Sequence, residues 1–368
     1  MKRMSKSACF ALLAAALLGG ALFRVWHVRD RGFWRDEAWV ADTVLHNGFA
    51  HLLTQGDVPL PPLFAVVTKA LGSAVGPPEL GLRLLPLFCG LAVPALAYLA
   101  ARSALAPRTV AATAAILCAF SLSLVIWSRE LKQYEVEAFF STLAAWLTFG
   151  LGSWTGTRRT VGAVGLGFVC VTAPWLGYSC VFALTALLVG LAVMPGRGRR
   201  ARVVCALCVA AAMALSAAAA FHVAASAQAN HPALAQFWQN SHVDLTSPRS
   251  LARAVFMAAF GTTHMLVPPI WFVSFDSLIV VFAAAPIWAL AGIGLWRWPR
   301  RYRVPAACFV IGPWLLMIAA AFGHHYPFTM QRLLVFTAPA LLIAVGAGLV
   351  VASRACVGVL TEGVGPGW

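Results

Sequence analysis

The chain is 368 residues long, 61% hydrophobic and only 11% charged, with a net charge of +15. A soluble domain carries roughly 25% charged residues, and a soluble fold this apolar would leave large greasy patches facing water. Nucleic-acid binding is also disfavoured, because the basic residues stand between apolar runs, where the positive-inside rule puts them, and form no single patch.

The apolar runs are rich in Ala, Leu, Val and Gly and do not alternate with period two, so they predict helices in lipid and not a barrel. The expected fold is an all-α polytopic membrane protein of about ten transmembrane helices. It reads as one domain over 1–368 with no soluble domain at its C-terminal end. The first span is expected near 8–26, after Lys2, Arg3 and Lys6. An outer loop follows over 27–83, long enough to carry structure of its own and function. Within it, Ala38 to Gln55 reads as an amphipathic surface helix, with Trp39, Val40, Val44, Leu45 and Phe49 set against Asp42, His46 and Asn47. Leu60 to Val75 is apolar but short and interrupted by Lys69, so it is placed as an interfacial or re-entrant helix. Counting it as a span would turn the later arginine clusters outward, against the positive-inside rule.

Further spans are expected near 84–101, 110–127, 136–151, 161–177, 178–195, 203–223, 271–296, 304–322 and 333–352. Alternate loops then hold Arg102 and Arg108, Arg158 and Arg159, Arg197 to Arg202, Arg297 to Arg303, and Arg354, which places them and both termini in the cytoplasm. Of the twelve acids only Glu362 falls on that side. Polar chemistry is therefore expected on the extracytoplasmic face of the cell membrane. A second outer loop over 224–270 is expected to serve as an acceptor-binding segment or a lid. None of the nine cysteines falls in an outer loop, so no disulfide is expected; Cys205 and Cys208 read as two small apolar residues on one helix.

Four stretches carry chemistry. Phe33-Trp34-Arg35-Asp36-Glu37-Ala38 sets two carboxylates just past the first span, where one can act as a general base, although an acidic helix start would look the same. Ser128-Arg129-Glu130-Leu131-Lys132-Gln133-Tyr134 is dense in ionisable groups beside lipid, and Arg129 and Lys132 suit a phosphate. Arg83 is another cation at the outer boundary. Gly323-His324-His325-Tyr326-Pro327-Phe328 precedes Arg332, which stands alone at the head of an apolar run as a contact for a lipid phosphate. Adjacent histidines point to different sides of a helix, so His324 and His325 alone make no metal site. Cations at the lipid boundary facing carboxylates in the loop suit a substrate with a lipid tail, a phosphate and a transferable group.

The order of these motifs resembles the GT-C membrane glycosyltransferases, specifically glycosyltransferase family 39 and the aminoarabinose-transferase-like group. The resemblance rests on Trp34-Arg35-Asp36-Glu37-Ala38, Pro61-Pro62-Leu63-Phe64, Leu82 to Pro86, Ser128 to Tyr134, and Tyr326-Pro327-Phe328 with Arg332-Leu333-Leu334 and Pro339. It covers 1–150 and 323–352 and is weak between. It implies transfer of a sugar from a polyprenyl-phosphate donor to an acceptor that the sequence does not name, whether protein, lipid or glycan. It implies Asp36 as the base, Glu37 as its neighbour in catalysis, and Arg129, Lys132 and Arg332, with Arg83 and Tyr134 beside them, around the donor phosphate. Trp34, His324, His325 and Tyr326 are the expected further substrate contacts. No metal and no cofactor are implied, the lipid-linked sugar being a co-substrate. The competing reading is a transporter or flippase of a lipid-linked substrate, which should place ionisable residues at mid-membrane breaks; here the charges cluster at one face.

Overall fold

A computed structural model describes residues 6–26, 28–29, 31–54, 60–196, 198–229, 244, 247–265, 277–323, 326 and 331–362. Among these the chain is helical and contains no strand. Helix α1 is Lys6–Val25, and the chain then folds into α2 (Arg35–His46), α3 (Phe49–Thr54) and α4 (Pro62–Ala74). The bundle continues with α5 (Pro78–Ser103), α6 (Arg108–Phe120), α7 (Leu122–Ser128), α8 (Tyr134–Ser153), α9 (Gly156–Thr172), α10 (Cys180–Val193) and α11 (Arg199–Ala229). It closes with α12 (Pro248–His264), α13 (Ser277–Arg297), α14 (Arg300–Phe322), a 3₁₀ turn over Gln331–Thr337, and α15 (Ala338–Glu362).

Four described helical segments are long and apolar enough to cross a membrane: Pro78–Ser103, Arg199–Val223, Arg300–Phe322 and Arg332–Cys356. A fifth is added if the bent pair α6 and α7 counts as one crossing. That is fewer than the sequence suggested. The other expected crossings are present as helices, but several fall short. At 1.5 Å per residue, α9 and α10 cover roughly 25 and 21 Å of the ~30 Å hydrocarbon core.

Other expectations are refined. The surface helix over 38–55 is two helices, α2 and α3, because Asn47 leaves helical geometry (φ −94°, ψ 145°) before Gly48. The span near 110–127 is bent by 53° at Ser121, whose extended ψ of 121° interrupts the ladder and whose hydroxyl donates to the Met265 carbonyl at 2.7 Å. The outer loop over 224–270 is partly helical: α11 runs on to Ala229, and α12 starts where Ser247 accepts from the Ser250 amide and Pro248 takes the first position.

Two apolar cores organise the chain. The larger joins α5, α6, α8, α10, α14 and α15 through residues such as Val93, Cys118, Leu184, Phe309 and Leu341. In it α13 and α15 approach so closely that a Cβ on Gly294 or Gly348 would overlap the facing backbone. The smaller core seats the loop helices: Val40 and Val44 of α2, Leu52 of α3 and Phe64 of α4 pack on Leu82, Leu131, Val136 and Leu176. Lys69 of α4 caps the end of α2 by donating to the Val44 and Leu45 carbonyls at 3.0 and 3.1 Å. The segment between α1 and α5 is thereby fixed over the starts of α5 and α8, where the ionisable residues are.

Candidate active site

Helix α2 begins directly after Trp34, and Glu37, three residues on, reaches back so that the Trp34 amide donates to its Oε2 at 3.4 Å. Successive residues on a helix point about 100° apart, so Asp36 and Glu37 diverge. Glu37 turns inward and is fully buried. Its Oε1 accepts from Arg83 Nε at 2.9 Å and from the Leu131 amide at 2.7 Å. Its Oε2 accepts from Arg83 Nη2 at 2.8 Å and from Arg31 Nη2 at 3.2 Å.

Arg83, also fully buried, spends its remaining donors on the carbonyls of Val28, Arg31 and Gly32 at 3.1, 2.7 and 3.1 Å. Phe33 covers its guanidinium with a ring centroid 4.8 Å away. All five N–H groups of Arg83 are thus used. This corrects the expectation that Arg83 meets a donor phosphate: it has no donor left to offer. Nor does Glu37 face the space around Asp36; it locks α2, the start of α5 and the loop between α7 and α8 together.

That loop carries the second motif. Glu130 Oε1 accepts from Arg31 Nη1 at 2.8 Å, and its Oε2 accepts from the Trp34 indole. Trp34 therefore serves to hold the loop to α2. Sequence reasoning passed over Arg31 and did not place Glu130 in the site. The signal for Glu130 was its place between Arg129 and Lys132; Arg31 carried none beyond lying near Trp34.

Asp36 turns outward. Its Oδ2 accepts from Arg332 Nη1 at 2.7 Å across 296 positions of chain, and both side chains remain about one-fifth exposed. Lys132 is 9% exposed and lies in the electrostatic field of Asp36, Arg332, Glu37 and Glu130. Burial is the main cause that pushes its amine from 10.5 down to about 8; Asp36 opposes the shift and Arg332 adds to it. Among the described residues its ammonium makes no hydrogen bond. Arg129 is half-buried, and burial and then the nearby charge of Arg31 hold its guanidinium below the ordinary value. Tyr134, buried at the start of α8, stacks edge-on against Trp127 at 4.8 Å.

Arg332 is held from behind. Tyr326 Oη donates to the Leu333 carbonyl at 2.8 Å and lies 3.1 Å from Ser179 Oγ, and the Ser179 amide donates to Glu137 at 3.1 Å. Tyr326, expected as a substrate contact, is buried and fixes the turn that carries Arg332. His324 and His325 lie outside the described residues. Among the described residues no cluster of three His, Cys, Asp or Glu is placed to hold a metal ion.

The sequence-predicted residues thus divide. Asp36, Arg129, Lys132, Tyr134 and Arg332 gather at one end of the bundle, and Glu37, Arg83, Trp34 and Tyr326 hold them there.

No protein-family model matches the sequence, and no curated protein does. Solved structures do share the fold. ArnT from Cupriavidus metallidurans bound to undecaprenyl phosphate superposes with a TM-score of 0.57 at 19% identity, over 94% of this chain and 60% of that one. The oligosaccharyltransferase of Archaeoglobus fulgidus tethered to an acceptor peptide gives 0.58 at 14% identity, over 95% and 50%. The same archaeal enzyme, AglB, with an inhibitory peptide and a dolichol-phosphate gives 0.57 at 14%, over 97% and 52%. The chain spans about half to three-fifths of the length of these structures. The fold is the GT-C fold of membrane glycosyltransferases, the class its sequence motifs resemble.

Proposed function

We propose that this chain is an integral membrane glycosyltransferase of the cell membrane. It transfers a sugar from a polyprenyl-phosphate donor to an acceptor on the extracytoplasmic face, with Asp36 as the general base and both termini in the cytoplasm. The observation that carries the reading is the Asp36–Arg332 pair beside the unspent ammonium of Lys132. It sets a carboxylate and cations at one solvent-accessible spot at the end of an apolar bundle. The likeness to ArnT bound to undecaprenyl phosphate supports a lipid-phosphate substrate.

In this reading the Asp36 carboxylate takes the proton from an acceptor O–H or N–H as that atom attacks the anomeric carbon. The bond between the anomeric carbon and the phosphate oxygen breaks, and its electron pair leaves with the phosphate. Lys132, Arg129 and Arg332 balance that charge in a site where burial makes each cation count for more. Arg332 is shared: on turning to the phosphate it releases Asp36 to act as base, so donor binding and base activation go together. Mass spectrometry of lipid and glycan products from purified protein in vesicles loaded with polyprenyl-phosphate sugars tests the activity. A chain that moves the intact lipid-linked sugar across the vesicle and forms no new glycosidic bond would be a flippase.

The depressed Lys132 pKa gives a pH signature. Donor phosphate needs the charged amine, so donor affinity should be full below about pH 8 and fall as pH rises through it. Ligand-free stability should move the other way. The unfolded amine keeps its proton up to about 10.5, so between 8 and 10.5 the unfolded state binds more protons and stability rises with pH. Isothermal titration of the donor and thermal melts across this range check both signs; Lys132→Met should flatten both curves.

Orientation is tested by accessibility. A cysteine introduced by Arg199→Cys should resist a membrane-impermeant maleimide in intact cells and react after permeabilisation. Labelling in intact cells would invert the topology.

A further inference from the structure

The end of the bundle opposite Asp36 carries a second set of charges that sugar transfer does not use. Helix α8 runs from Tyr134 at the site to Ser153, so by helical rise the two ends lie roughly 30 Å apart. At the far end α9, α11 and α14 begin, and each carries arginines in its first turn. Arg159, Arg199 and Arg301 are near enough to Arg202 to repel its charge, although Arg202 is itself buried. All the acids whose surroundings the structure describes lie elsewhere, toward the site end or in the outer loops.

Sidedness in the membrane explains why arginines are on this face. It does not explain their arrangement around two concavities. The first, about 390 Å³, lies between α9, α10 and α11, with Arg159, Arg202 and Thr160 at its polar side and Leu151, Ala163, Leu191 and Cys205 as apolar wall. The second, about 530 Å³, is lined by Pro195, Gly196, Arg300 and Arg301. Gly196 borders the second hollow and Gly198 the first. Gly196 and Gly198 hold positive φ (116° and 75°), which lets the backbone pass close between guanidiniums. A Cβ on Gly196 would stand 3.6 Å from Arg301 Nη2, and one on Gly198 would stand 3.6 Å from Arg159 Nη2. Arg202 fixes the connection by donating to the Met194 and Gly196 carbonyls at 2.6 and 3.2 Å.

We propose that these paired cationic cavities bind one anionic phospholipid whose head carries two phosphates, of the diphosphatidylglycerol type, in the leaflet opposite the active site. Two phosphates joined by a short bridge match two arginine-lined hollows bordered by glycines only two positions apart in the chain. Leu151, Ala163 and Leu191 give the first hollow an apolar wall beside its arginines. Guanidinium offers each phosphate a two-pronged donor, and basic pockets between helices at the membrane surface are suited to such heads.

The test is native mass spectrometry of the full-length protein in nanodiscs or detergent, titrated with diphosphatidylglycerol, phosphatidylglycerol or phosphatidylcholine. The expected result is one diphosphatidylglycerol retained per chain, with both other lipids released at the same concentration. Arg159→Gln with Arg300→Gln leaves in place the hydrogen bonds of Arg202 and the one that Arg301 donates to the Gly152 carbonyl. It should weaken that binding roughly tenfold or more, while Arg108→Gln with Arg354→Gln, which removes the same charge from the same face, should not. Equal retention of phosphatidylglycerol would overturn the two-phosphate assignment. Equal weakening by the control pair would reduce the site to general surface attraction. Displacement by an equal concentration of inorganic pyrophosphate would make it a soluble-anion site. Should the Arg159 and Arg300 variant fail to fold, the lipid comparison and the pyrophosphate competition on the unaltered protein decide the matter.

Discussion

Asp36→Asn is expected to lower sugar transfer by about a hundredfold or more, the scale of a general-base contribution, with expression and donor binding retained. Asparagine keeps the size of the side chain and can still accept from Arg332, so the 2.7 Å contact need not be lost. What disappears is the negative charge that accepts a proton. Rates measured with saturating donor and acceptor should show the loss in kcat rather than KM. Donor affinity should rise slightly, because Arg332 is freed from a charged partner. Full transfer by purified Asp36→Asn protein would take Asp36 out of the mechanism and restore the flippase reading.

The second large effect is on the fold. Arg83→Leu should destabilise the protein by about 3–5 kcal/mol, since it leaves the Glu37 carboxylate buried without its main partner. The melting temperature should fall by on the order of 10 °C. Glu37→Gln should cost less, because the amide oxygen can still accept from Arg83 or the Leu131 amide. The double variant Glu37→Leu with Arg83→Leu should melt higher than the sum of the single changes predicts, the mark of a direct coupling. The alternative outcome is equally readable: Arg83→Leu protein that melts like the unaltered chain and loses only donor affinity would make Arg83 a phosphate ligand after all.

These two residues show what could be read from the sequence and what could not. The helical membrane class, the short helices between the first span and α5 and the position of the acidic pair were legible, because they depend on local hydropathy, charge spacing and cap chemistry. The division of labour between Asp36 and Glu37 was not. Neighbours on a helix face different ways, and their partners, Arg332 and Arg83, lie 296 and 46 positions away. Arg83 looked like a free cation at a lipid boundary because sequence shows a charge but not the carbonyls of Val28, Arg31 and Gly32 that surround it. Tyr326 looked like a substrate contact for the same reason: its partners Ser179 and the Leu333 carbonyl do not show in the sequence. The bend within the span near 110–127 was not legible either, because an apolar run gives no warning of a break such as that at Ser121.

That break sets how far the charged loop reaches. Unbent, α6 and α7 together would extend roughly 31 Å, but with α7 inclined at 53° the same residues advance only about 27 Å along the axis of α6. The loop over 129–133 therefore ends roughly 4 Å short of where an unbroken helix would carry it. Lys132, in that loop, is only 9% exposed and so is set back from solvent. In the proposed reading, a phosphoryl group anchored by a lipid tail meets the ammonium at that depth, without being drawn up into water.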